Sequence, residues 1–137
     1  MGMTKKISVD ASEDDIHAAV ADFLGAALYG ATFWTALELP DAKSKAEGTR
    51  RKRLGLKPGI PGIMMVHGRT AHFIEPMTLR GSLSDAQIDR RKEIIAAGGM
   101  WAVCRSVDQV ARQLRNWGIP TKIHGDGTSR EHLAGIV

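Results

Sequence analysis

The stretch Gly59-Ile60-Pro61-Gly62-Ile63-Met64-Met65-Val66-His67-Gly68-Arg69-Thr70-Ala71-His72-Phe73-Ile74-Glu75 decides the fold. Its Gly and Pro residues form a stiff approach to an extended segment. Ile63 to Val66 then reads as a strand, His67-Gly68-Arg69-Thr70 as a short turn, and Ala71 to Glu75 as a second arm pairing back. Two short apolar runs joined by turn residues predict a β-hairpin.

Toward the N-terminus, Lys43, Lys45, Arg50, Arg51, Lys52, Arg53 and Lys57 stand against Asp41 and Glu47, and this segment reads as a long basic loop. Before it, the aromatic and apolar run Phe33 to Leu39 predicts a strand, ended by Pro40-Asp41. Further upstream, Ser12 caps a helix whose opening carboxylates, Glu13, Asp14 and Asp15, suit the positive end of the helix dipole. Ile16, Val20, Phe23, Leu24 and Leu28 recur at helical spacing, so the helix runs to about Leu28 and stops at Gly30.

Toward the C-terminus, Ser84 caps a helix from about Asp85 to Ala97, with Ile88, Ile94 and Ile95 turned inward. Met100 to Cys104 is a short buried strand. Ser106 caps a further helix on which Val107, Val110, Leu114 and Trp117 line one face before Gly118 and Pro120 end it. The order helix, strand, strand, strand, helix, strand, helix predicts an α/β domain, a central mixed four-stranded sheet flanked by helices. It excludes an all-helical or all-strand fold. The domain spans 12–120, between an N-terminal segment, 1–11, and a tail, 121–137, too poor in apolar residues to assign.

A length of 137 residues with 43% hydrophobic content supports one core. The formal net charge of +4 favours a polyanionic partner. No apolar run spans a bilayer and no signal core follows the basic start, so a cytoplasmic protein without a membrane partner is expected. Cys104, the single cysteine, excludes an internal disulfide and sits in an apolar run as a small core residue.

Hairpin pairing sets the start of one arm against the end of the other, and so brings together Gly59-Ile60-Pro61-Gly62 and Phe73-Ile74-Glu75-Pro76-Met77. On these segments the chain resembles the virus-type replication-repair nucleases, a branch of the PD-(D/E)XK superfamily, in which the first reads Gly-x-Pro-Asp and the second ends Glu-x-Lys. Gly81-Ser82-Leu83-Ser84-Asp85-Ala86-Gln87 is similar to the family's run into its next helix, and Trp101-Ala102-Val103-Cys104-Arg105-Ser106 to its last strand and helix. Glu13 and His17 resemble positions on its first helix. The resemblance covers about Ser12 to Gly118.

The resemblance implies a restriction-endonuclease-like core and Mg²⁺- or Mn²⁺-dependent phosphodiester hydrolysis on duplex or branched DNA in replication and repair. It also implies a homodimer of the Holliday-junction-resolvase kind. Glu75 stands at the second metal carboxylate, Gly62 at the aspartate and Met77 at the lysine. Glu13 is a further metal carboxylate, Gln87 a phosphate or water contact, and the basic segment with Arg80 the DNA-binding surface. Such chemistry needs convergent oxygen ligands for a hard cation and a fixed positive charge beside the crowded phosphate. Gly62 removes a metal ligand and Met77 the charge, so cleavage by this chain is expected to be weak or absent. Glu13, Asp14 or Asp15 could replace the missing carboxylate, and Arg80 or a basic-loop lysine the missing cation.

Each residue also has a plainer account. The basic run could be a solvated surface, Glu75 an ordinary hairpin-end carboxylate, and Gln87 an exposed helix residue. His67 and His72 read as surface histidines rather than metal ligands. His17 faces either core or site, and Trp34, Trp101 and Trp117 belong to the core. The competing functions are a catalytically silent DNA- or protein-binding module and a protein-interaction role without nucleic acid.

Overall fold

A computed structural model describes residues 11–37 and 41–122. Its elements run α1 (Glu13–Ala27), β1 (Phe33–Ala36), α2 (Lys45–Arg53), β2 (Ile63–His67), β3 (Thr70–Pro76), α3 (Asp85–Ala96), β4 (Met100–Cys104) and α4 (Val107–Asn116). The sheet is mixed, in the order β1-β2-β3-β4: the first three strands are antiparallel and β4 runs parallel to β3. A parallel neighbour cannot be reached by a tight turn, and α3 supplies the crossover.

The hairpin is closed by the two-residue turn Gly68-Arg69, with φ of 57° and 68°. Positive φ at both positions is the type I′ geometry that matches strand twist. Alternation along the strands then separates two faces. Ile63, Met65 and Ile74 face a core built by Ile16, Val20, Phe23, Leu24 and Ala27 of α1 and Val107, Val110, Ala111 and Leu114 of α4. Lys122 N–H donates to Ala27 carbonyl at 2.7 Å, fastening the described C-terminal end to α1.

The second face is thinly covered. Phe33 is 60% exposed there, and Arg91 of α3 lies 5.4 Å over the half-buried Trp101 ring. α3 buries no residue, and Ile95, expected inward, is 55% exposed. Trp34 and Trp117 pack against the core, whereas Trp101 belongs to this second face.

Three further expectations are corrected. The basic loop contains α2, a helix the apolar pattern does not announce because it has no apolar stripe. Among the described residues the first strand ends at Ala36 and does not include Leu37; 38 and 39, the rest of its expected range, lie outside them. His72 is buried rather than superficial, its ring 4.9 Å from that of Trp117. Residues 1–10 and 123–137, with His124 and His132, also lie outside the described residues. No described helix is long and apolar enough to cross a membrane.

Candidate functional site

The hairpin register pairs Ile63 with Ile74, so one further step sets Gly62 opposite Glu75. Leu37 N–H donates to Gly62 carbonyl at 2.7 Å, and Met77 N–H to Cys104 carbonyl at 3.0 Å. Alternation carries Glu75 and Met77 to the same side of the hairpin. Residues 62, 75 and 77 are therefore brought together at one end of β2 and β3. Pro76 is the last residue of β3, where its missing N–H is tolerated.

These positions do not line an open cleft. Gly62 is buried, Glu75 is 3% exposed and Met77 2% exposed. The Gly59 turn packs tightly on the start of α3: a Cβ at Gly59 would lie 2.4 Å from the Ala86 carbonyl group. Past β3, the Arg105 guanidinium donates to the carbonyls of Thr78 and Gly81, the latter at 2.9 Å, and so latches the loop that follows Met77. Sequence reasoning missed Arg105. Its partners lie 24 and 27 residues away, beyond any local pattern.

A Mg²⁺ or Mn²⁺ ion does not fit the residues present. Such a cation wants several oxygens in an octahedral array, whereas Gly62 offers no side chain and Met77 a soft thioether. Glu13 is an exposed residue in the first turn of α1, where its charge suits the helix dipole. Among the described residues no group of three or more His, Cys, Asp or Glu is arranged to hold a metal.

Gln87 has a structural task. Its Oε1 accepts from Ser84 N–H at 2.8 Å while Ser84 Oγ accepts from Gln87 N–H at 3.2 Å, a reciprocal capping box. The Ser-x-x-Gln spacing is the sequence signature of that motif. At α1 the Asp15 carboxylate makes the same return bond to Ser12 N–H, and the Ser12 bonds hold its pKa below the ordinary value. Burial pushes the Cys104 thiol up to about 12, which leaves it an inert core group.

The basic residues are arranged by α2. Ser44 caps it by accepting from Glu47 N–H at 3.1 Å, and the Glu47 carboxylate accepts in turn from Lys43 N–H and pairs with Arg51 at 3.6 Å. Lys45 stands in the first turn, and Arg50, Arg51, Lys52 and Arg53 fill the last. None of the nine helix residues is buried. Beyond the helix, Lys57 approaches Glu93 at 4.0 Å and Arg90 donates to Pro58 carbonyl at 3.3 Å, bracing the segment against α3. Arg80 is exposed in the loop after β3. The chain matches no protein-family model, no curated protein and no solved structure at a significant level.

Proposed function

We propose that this chain is a DNA-binding protein on the PD-(D/E)XK nuclease fold, of the virus-type replication-repair kind, with metal-dependent cleavage weakened or lost through Gly62 and Met77. One observation carries the reading: α2 bears five cations against the single carboxylate Glu47 and buries none of its residues. A helix that is polar all round gains no stability from a core, so its side chains remain available for a ligand. Cations in the last turn complement the negative end of the dipole, and a duplex presents about one phosphate charge per 1.7 Å of axis to meet them. The shared side of residues 62, 75 and 77 supports the nuclease ancestry. Duplex or branched DNA is the ligand on this reading, and a homodimer the working form.

Fluorescence anisotropy with a labelled four-way junction over a salt series tests the binding. Engagement of the last-turn cations makes log affinity fall against log salt with a slope of about −3 to −4, whereas a flat profile refutes the reading. With Mg²⁺ or Mn²⁺ the native chain should leave the bound junction intact. The double variant Gly62→Asp with Met77→Lys should gain nicking activity if folded, and a folded but inert variant removes these positions from any active site.

A further inference from the structure

The end of α2 shows two leucines where burial would be expected. Leu54 N–H donates to Arg50 carbonyl at 3.0 Å, Gly55 N–H to Lys52 carbonyl at 3.0 Å and Leu56 N–H to Arg51 carbonyl at 2.9 Å. Gly55 has φ of 88°, and the last two bonds are those of a Schellman motif. In that motif the residue after the left-handed glycine ordinarily packs on an apolar residue one turn back. Here the position one turn back is Arg51, whose guanidinium faces Glu47 at 3.6 Å. Leu56 is left 43% exposed and Leu54 64% exposed.

Both leucines are held by a closed hydrogen-bond pattern, next to four consecutive cations, on a segment that Lys57, Pro58 and Gly59 brace against α3. Ser44 and Glu47 already satisfy the start of the helix, so nothing in its folding requires apolar groups at its end. Cations can hold phosphates on any DNA, whereas an apolar side chain such as Leu that wedges between bases must unstack a base step, at a cost of about a few kcal/mol in continuous duplex. Where the arms of a branch meet, stacking is interrupted more readily, so the same wedge costs less there.

Resting on the DNA-binding reading, we infer that Leu54 and Leu56 form an apolar wedge. It enters an unstacked base step while Arg50 to Arg53 hold the flanking phosphates, so the chain selects branched over continuous DNA.

The test compares a four-way junction, carrying 2-aminopurine at its branch point, with a duplex of equal length. The native protein should bind the junction at least about tenfold more tightly and raise the 2-aminopurine emission, in keeping with the smaller unstacking cost at the branch. Leu54→Ser with Leu56→Ser should keep its duplex affinity and lose both the preference and the emission change. Leu54→Met with Leu56→Met should retain them. Both positions are exposed, and matching circular dichroism of the three proteins verifies the fold. Equal binding of junction and duplex by the native protein overturns the wedge and leaves the DNA-binding reading standing. So does a serine variant that behaves as native or weakens on both ligands alike. Failure to retain either DNA at low salt overturns both. Leucine-dependent retention on phosphatidylserine vesicles without DNA binding assigns the surface to a membrane instead.

Discussion

Helices α2 and α4 are close in length, and both begin at a serine whose hydroxyl accepts the N–H three residues on, Ser44 from Glu47 and Ser106 from Gln109. There the likeness ends. α4 buries Val107, Val110, Ala111 and Leu114 against α1 and the sheet, and α2 buries nothing. Packing therefore explains the sequence of α4, whereas the charges of α2 contribute nothing to the core. The sharpest way to break this contrast is to show that α4 is dispensable. Leu114→Ala should cost about 2–5 kcal/mol, because a fully buried side chain leaves a cavity as well as losing its burial. Urea denaturation measures the loss, and a cost under 1 kcal/mol would mean that α4 does not hold the core.

The converse experiment concerns α2. Replacing Arg50, Arg51, Lys52 and Arg53 together by Gln, a residue of comparable helix propensity, should change folding stability by no more than about 0.5 kcal/mol per site. The same variant should flatten the salt slope of DNA binding by up to about 3.6. A large fall in stability would show that these cations serve the fold, and the contrast between the two helices would dissolve.

The two helices also differ in how far the sequence reveals them. Val107, Val110 and Leu114 recur at helical spacing, so α4 is legible from periodicity alone, as is the hairpin from its two apolar runs around Gly68-Arg69. A helix without an apolar stripe has no period to read. The trace left in α2 is Ser44 with Glu47 three residues on, a capping signature within a run of charge. The juxtaposition of residues 62, 75 and 77 follows from register once the hairpin is assumed. Their burial does not, since it depends on Gly59 meeting Ala86 and on Arg105 reaching Thr78 and Gly81. Ile95, read as inward from its helical spacing, instead lies on the open side of α3, a helix that buries none of its residues.

A third test uses pH to separate the core side from α2. Burial holds the His72 pKa below its ordinary 6.5, with His67 adding a smaller push in the same direction. The folded protein thus resists protonating His72, and the unfolded chain takes up that proton first. Stability from this group is present above pH 6.5 and drains away as pH falls below it toward the folded pKa. His72→Phe, which keeps a ring beside Trp117, should flatten the dependence of the urea midpoint between about pH 7.5 and 5.5. An unchanged slope would place the responsible group elsewhere.

The smallest effect is the most discriminating, because it compares the same chemical change in both helices. Ser106→Ala should lower global stability by about 1 kcal/mol, since the capped end of α4 is anchored by buried Val107 and cannot fray without disturbing the core. Ser44→Ala removes an equivalent hydrogen bond but should leave global stability within about 0.3 kcal/mol of native, because α2 can unwind with the core intact. Its cost should appear instead as faster amide exchange from Glu47 to Arg53 and as weaker DNA binding, the cations being no longer preorganised. Equal global costs for the two serines would mean that α2 unfolds together with the sheet, tying it to the core by contacts that its lack of buried residues does not reveal.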